Sequence, residues 1–243
     1  MNKTKLQFLG TGSYGSKDRA LTSFLINDEL LFDIGSGTIR QMQIYDVDIS
    51  KIKYLIVTHY HLDHFADISC LIMKRKIIDG NKNKLTIIGP KNIEVETFKM
   101  MDKYFNDINK EWNKEITNIE FIEMENDNVI IDNYEITAYK TIHGNCEPVN
   151  SYKINTNQND LGFSGDSGVC EAQDNLVDKS NTLFLDSTKI GKSDVAHLNY
   201  GAVLDYAEKF PKKMFYAIHR GDYEINNKPD NLFMPNDSEI VEL

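Results

Sequence analysis

The chain has three cysteines in 243 residues, Cys70, Cys146 and Cys170, and they are widely spaced. An odd, scattered set argues against a disulfide framework, and no C-x-x-C pair stands ready for a metal. Free thiols in a reducing cytosol are the expectation. Positive charge is also in short supply: Lys and Arg number 27 against 37 Asp and Glu, for a net charge of −10. No long basic run is present. A broad nucleic-acid surface is made mostly of basic groups and is therefore disfavoured, although a local basic pocket is not excluded. No apolar run approaches the ~20 residues of a membrane span. The chain enters a strand within its first residues, so no signal peptide is read and a cytoplasmic location is expected. The glycine-rich stretch Gly10-Thr11-Gly12-Ser13 has no Walker lysine and is a weak phosphate-cradle signal. Linkers, low-complexity segments and fixed-period repeats are lacking. Residues 1–243 therefore read as a single domain with a sizeable core.

What the chain does have is a dense imidazole–carboxylate cluster, Thr58-His59-Tyr60-His61-Leu62-Asp63-His64. Residues 52–57, just upstream, are apolar and β-branched and predict a buried strand. Residues 67–74 predict a helix with Asp67 at its start. This places the cluster on a loop at a strand end, where side chains converge without opposing a ladder or a helix face. Neutral imidazole and carboxylate are ligands of zinc, manganese or iron, at about 2.0–2.2 Å. His59 and His61, two apart on extended backbone, point the same way. Asp63 and His64 follow as the chain turns. Two ions a few ångströms apart divide such a set more naturally than one ion binds it.

The remaining chain alternates strand and helix. Residues 5–9 predict a strand, 21–26 and 30–32 a hairpin, and 38–45 a helix. Residues 85–88 predict a strand closed by Gly89-Pro90. Residues 91–108 predict an amphipathic helix with Val95, Phe98, Met101 and Phe105 on its core face. Strands follow near 119–124, 129–141, 151–154 and 183–188, then, after His197, a helix running to about 210, a strand over 213–219 and a short one over 239–243. The single tryptophan, Trp112, is expected to pack. The alternation implies sheets covered by helices. His143, Asp186 and His219 fall at strand ends and Asp166 in a glycine-flanked turn, and open α/β folds build sites beyond strand ends. The chain has six histidines in all: His59, His61, His64, His143, His197 and His219.

The cluster and its preceding strand resemble the H-x-H-x-D-H signature of the metallo-β-lactamase superfamily. The openings Leu9-Gly10-Thr11-Gly12 and Phe32-Asp33-Ile34-Gly35-Ser36-Gly37-Thr38-Ile39-Arg40-Gln41 resemble its RNase Z-like phosphodiesterase branch. The resemblance covers nearly the whole chain. It implies an αββα sandwich, two mixed sheets packed face to face with helices outside. It implies two divalent metal ions, zinc first, with manganese or iron also suited to the donors. His59, His61 and His143 would bind one ion and Asp63, His64 and His219 the other, with Asp166 bridging. Asp33 would orient a ligand histidine through a hydrogen bond. A hydroxide shared by the metals would attack a phosphodiester. Asp63, Asp186 and His197 would be catalytic, the last two as a pair that gives a proton to the leaving alkoxide. A homodimer is also implied.

The chain departs from tRNA-processing members in four places. Their long tRNA-gripping arm lies between the positions of His143 and Asp166, where only 22 residues stand here. Residues 106–114 are the one other segment that could serve. His219 is followed by Arg220-Gly221-Asp222-Tyr223, the glycine before Asp63 is replaced by Leu62, and Asp186 stands where Glu is usual. The resemblance therefore implies hydrolysis of a small phosphodiester, cyclic nucleotides first, as in arm-less relatives that include phage proteins destroying cyclic-nucleotide defence signals. The alternatives are tRNA 3′-end cleavage and, further off, lactone or thioester hydrolysis.

Overall fold

The computed structural model describes residues 3–108 and 112–243. Part of the 106–114 segment, residues 109–111, and Met1 and Asn2 lie outside the described residues. The first half runs β1 (Lys5–Gly10), β2 (Ser23–Ile26), β3 (Leu30–Phe32), α1 (Thr38–Ile44), β4 (Tyr54–Ile56), α2 (Leu62–Phe65), α3 (Ile68–Asp79), β5 (Leu85–Gly89), α4 (Ile93–Phe105), α5 (Lys114–Thr117) and β6 (Ile119–Glu123). The second runs β7 (Asn128–Ile131), β8 (Tyr134–Lys140), β9 (Asn150–Asn155), β10 (Asp160–Phe163), α6 (Glu171–Lys179), β11 (Thr182–Asp186), α7 (Asn199–Lys209), β12 (Met214–Ile218), β13 (Leu232–Phe233) and β14 (Ile240–Glu242). Two seven-stranded sheets result, in the orders β14-β1-β2-β3-β4-β5-β6 and β13-β12-β11-β10-β9-β8-β7. Each is mixed, antiparallel at its start and parallel from β3 or β10 onward.

Period-2 alternation explains the layering. Phe8, Phe24, Ile26 and Phe32 enter the core between the sheets, while Leu9, Leu25 and Leu31 on the same strands meet the helices outside. In the other sheet Phe184 faces inward, and Leu183 and Leu185 face α6 and α7. Between the sheets lies a row of rings. Phe24, Phe163, Phe184 and Tyr216 stack in sequence with centroids 4.7–4.9 Å apart, and Phe32 joins at 4.7 Å from Phe24. Such offset pairs add about 0.5–1.5 kcal/mol each beyond area burial. The αββα sandwich expected from the sequence is the fold observed.

Several local expectations are corrected. Residues 129–141 form not one strand but the β7–β8 hairpin, turning at Asp132, whose φ is +46°. On α4 the buried residues are Ile93, Thr97 and Met101, and Val95 is exposed. The hydroxyl of Thr97 donates to the carbonyl of Ile93 at 2.7 Å, which lets a polar residue occupy the core face. Asp67 does not cap its own helix; its carboxylate accepts from the amide of Ile39 in α1. Asp63 and His64 sit on the single helical turn α2 rather than on a loop. Helix α6, over Glu171–Lys179, stands where the sequence pattern predicts no element. Trp112 packs as expected, buried, with its Nε1–H donating to the carbonyl of Phe105 at 3.0 Å. Gly10, Gly12 and Gly15 do fall in the G-x-G-x-x-G spacing, but no helix follows them. They form a loop, not a dinucleotide turn, since that fingerprint needs a helix N-terminus.

Gly35 decides how α2 docks. A Cβ built on it would lie 1.8 Å from the carbonyl oxygen of Asp63. The approach is fixed by Ile34 N–H to the carbonyl of His64 (2.8 Å) and Ser36 N–H to that of Leu62 (3.1 Å). Gly35→Ala is therefore expected to cost at least the ~1–3 kcal/mol of an overpacked core site and to displace α2. A lowered urea midpoint together with reduced metal retention checks this.

Candidate metal centre

The site lies beyond the ends of β4, β8, β11 and β12, which bring the separate ligand-type residues together. Ligand atoms of His59, His61 and His143 lie within 4.8 Å of one another, and so do those of Asp63, His64, Asp166 and His219. A third group, within the same limit, joins Asp166 and His219 to Asp186 and His197. All six histidines thus meet at one place. Asp33 lies behind them, its side chain completely enclosed.

Hydrogen bonds on the far side of each ring set which nitrogen faces the centre. Asp33 accepts from the amide and the hydroxyl of Thr58, at 2.8 and 2.9 Å, and from His64 Nδ1–H at 2.7 Å. Thr58 Oγ1, having donated to Asp33, accepts from His59 Nδ1–H at 3.0 Å. One carboxylate therefore orients two imidazoles, one directly and one through a threonine. His143 Nδ1–H donates to the carbonyl of Ala196 at 2.7 Å. Thr188 Oγ1 donates to Asp186 Oδ1 at 2.8 Å and lies 2.9 Å from His219 Nδ1, whose N–H it accepts. Thr58, Thr188 and the Ala196 carbonyl were not assigned roles from sequence. The two threonines could have been found by adjacency, one preceding His59 and one following the Asp186 position; the carbonyl carries no side-chain signal.

The inward atoms suit a cation. Among the described residues His59 Nε2 is buried without any hydrogen-bond partner, and His64 Nε2 and Asp166 Oδ1 are buried facing each other 3.3 Å apart with no other partner, a costly condition unless something positive faces them. With metal–nitrogen bonds of about 2.0–2.1 Å, two ligands of a tetrahedral ion stand about 3.3 Å apart. His61 Nδ1 and His143 Nε2 are 3.2 Å apart, His64 Nε2 and Asp166 Oδ1 3.3 Å, and His219 Nε2 and Asp63 Oδ2 3.4 Å. Asp166 divides its oxygens, Oδ1 toward His64 and Oδ2 toward His143 at 3.7 Å. These clusters could hold divalent metal, and Asp166 faces both of them.

Electrostatics agrees with that fit. Burial, then the neighbouring His64, pushes His59 well below its ordinary value, and burial and His143 push His61 down. Both are therefore neutral, as ligation requires. Burial works against charge on His64 and His219 as well. There the carboxylates prevail: Asp166 and Asp33 hold His64 well above its ordinary value, and Asp166 with Asp186 and Asp63 hold His219 at about 10. The positive charge that these carboxylates demand is what a divalent ion supplies in exchange for protons.

A family model described as Anti-Pycsar protein Apyc1 matches residues 4–235. The chain belongs to that family. Among curated proteins, ribonuclease Z of Pyrococcus furiosus is 36% identical over 89 residues, 35% of this chain and 29% of its own length. Ribonuclease Z of Staphylococcus epidermidis is 34% identical over 97 residues, 37% of this chain and 32% of its own. The chain thus spans about a third of the curated relatives it matches. Among solved structures, the metallo-β-lactamase fold protein YhfI of Bacillus subtilis aligns over 100% of both chains with a TM-score of 0.79 at 18% identity. The short form of human tRNase Z aligns over 98% of both with a TM-score of 0.77 at 17% identity. The family's sandwich is therefore the metallo-β-lactamase fold.

Asp33→Ala removes the anchor of two imidazoles without touching the centre. Loss of such outer partners typically costs about 10–100-fold in metal affinity. That loss is the expected result, read by chelator competition on the wild type and the variant.

Proposed function

We propose that the chain is a metal-dependent phosphodiesterase that hydrolyses a small phosphodiester, with cyclic nucleotides as the favoured class. The observation that carries the reading is the Asp186–His197 pair set beside the two ligand clusters. His197 Nδ1–H donates to Asp186 Oδ2 at 2.8 Å, and His197 lines one cleft of about 360 Å³ with His61, Asp63, His143, Asp166 and His219. That is near the lower end of the ~300–1,000 Å³ of small-molecule sites. Only β9, β10 and their connections occupy the span from His143 to Asp166, so no long arm stands there. Membership in the Anti-Pycsar protein Apyc1 family over nearly the whole chain supports the small substrate over tRNA. By the same family resemblance the chain would act as a homodimer.

His59, His61 and His143 would hold one ion, Asp63, His64 and His219 the other, and Asp166 would bridge. When bound, two divalent ions supply Lewis acidity toward a phosphoryl group and acidify water. The protein's own contribution is proton control at the leaving oxygen. Burial lowers the basicity of His197, but its hydrogen bond to Asp186 and that carboxylate's charge raise it above the ordinary value. With Nδ1 bound to Asp186, His197 Nε2 is the group left to give a proton to an alkoxide. Asp186 is itself fixed by amides, from Ser167 to Oδ2 at 3.3 Å and from Thr188 to Oδ1 at 3.1 Å. A lactone or thioester, whose leaving group needs less protonation, would have less use for this pair.

The zinc- or manganese-loaded protein is expected to hydrolyse 3′,5′-cyclic nucleotides and to leave a 3′-extended tRNA precursor intact; trimming of the tRNA would reverse the choice. His197→Ala should lower kcat roughly 100- to 10,000-fold, the usual worth of a general acid, with metal content still near two per chain. Metal loss in that variant would make His197 a ligand instead. The acid must be protonated, so activity falls as pH rises through its raised pKa. Asp186→Asn removes the cause of the rise and should move the alkaline limb of the kcat profile to lower pH.

A further inference from the structure

The cleft has a charged floor and an apolar rim, and the rim includes an aromatic ring that the chemistry above does not use. Tyr14 lines the same cleft as His61, Asp63, Asp166 and His197. It is 66% exposed, and among the described residues its hydroxyl has no hydrogen-bond partner. Leu62, which also lines the cleft, is 56% exposed. Ile142 and Val195, which neighbour His143 and His197, are exposed as well. Many other rings are packed away, among them Phe8, Phe24, Phe32, Phe163 and Phe184, while Tyr104 and Phe233, exposed like Tyr14, do not line this cleft.

The backbone under Tyr14 is held firmly. Ser16 N–H donates to the carbonyl of Ser13 at 3.0 Å, closing a turn around Tyr14 and Gly15. Ser13 N–H donates to the carbonyl of Arg220 at 3.0 Å, and Arg220 N–H to that of Thr11 at 3.1 Å. Asp222 accepts from the Ser16 hydroxyl and from the amides of Lys17 and Asp18. The ring is thus presented to solvent at the site mouth by a loop tied to the strand that delivers His219. The backbone that carries the ring is ordered in advance, so little backbone freedom is lost when a flat ligand stacks on it.

Resting on the phosphodiesterase reading, we propose that Tyr14 is the platform on which the substrate's nucleobase stacks, with Leu62 extending the apolar surface, while the phosphodiester reaches the clusters below. Stacking uses the π-face that every base has, so this platform favours nucleotides over base-less phosphodiesters and tolerates both purines and pyrimidines. Charged donors that read base edges are not part of it.

The test compares kcat/KM for 3′,5′-cyclic AMP and cyclic CMP with that for the same sugar cyclic phosphate lacking a base, on metal-loaded wild type, Tyr14→Ala, Tyr14→Phe and Tyr14→Trp. The nucleotide-over-abasic ratio should fall roughly 5- to 100-fold in Tyr14→Ala, the worth of one base–aromatic stack. The fall should lie in KM rather than kcat, and Phe or Trp should retain the ratio. A ratio in Tyr14→Ala equal to that of wild type would overturn the platform while leaving the phosphodiesterase reading intact. So would equal loss on both substrates, which would mark Tyr14 as structural. Wild type that cleaves the abasic cyclic phosphate but neither nucleotide would overturn the platform and the choice of cyclic nucleotides, and wild type that cleaves none of the three would overturn the phosphodiesterase reading as well.

Discussion

A buried imidazole presents a lone pair to a cation only when its other nitrogen has an acceptor for its proton. In this chain those acceptors are Thr58 Oγ1 for His59, Asp33 for His64, the Ala196 carbonyl for His143 and Thr188 Oγ1 for His219. The sandwich supplies these acceptors from both halves. Asp33 and Thr58 follow β3 and β4 of one sheet, whereas Thr188 follows β11 of the other. The packed sheets are therefore the frame that keeps donors and acceptors in register.

Asp33 has the most demanding position. It accepts three hydrogen bonds, is fully enclosed, and adopts φ of +53°. Left-handed backbone is tolerated by Asp better than by most residues, at a cost that the surroundings must offset. His219 shares the feature, with φ of +50° at the end of β12. Two of the residues that organise the centre thus occupy backbone that a β-branched side chain would resist.

Much of this was legible in the sequence. Histidine is scarce in the chain, and the resemblance of the His59–His64 stretch to a known signature pointed to the other residues that meet in space. The layers could be read because β1, β2, β11 and β12 alternate or run apolar as sandwich strands do. What escaped has a physical reason in each case. Helix α6 has few large apolar residues, chiefly Leu176 and Val177, and buries Gln173, whose amide donates to Thr141 and Ser151, so its period was faint. On α4 a buried threonine misaligned the apparent core face and admitted Val95 in error. The β7–β8 turn at Asp132 interrupts a run whose apolar pattern continues on both sides. The Ala196 carbonyl is a backbone group and leaves no trace in residue type.

The clasp between residues 11–20 and the segment after β12 has a consequence for how such a protein can change. The carboxylate of Asp237 accepts from Thr11 and Ala20 amides, at 2.8 and 2.6 Å, so this loop is fastened from the C-terminal side too. Cβ atoms at Gly10 and Gly12 would strike the backbone or side chains of residues 19–21 at 2.1–2.6 Å. Insertions or deletions there would therefore pull on His219, while the side chain at position 14 projects from a turn with open space around Gly15. Divergence in this rim can proceed by exchange of side chains at constant length, and the neighbouring ligand geometry is insulated from it.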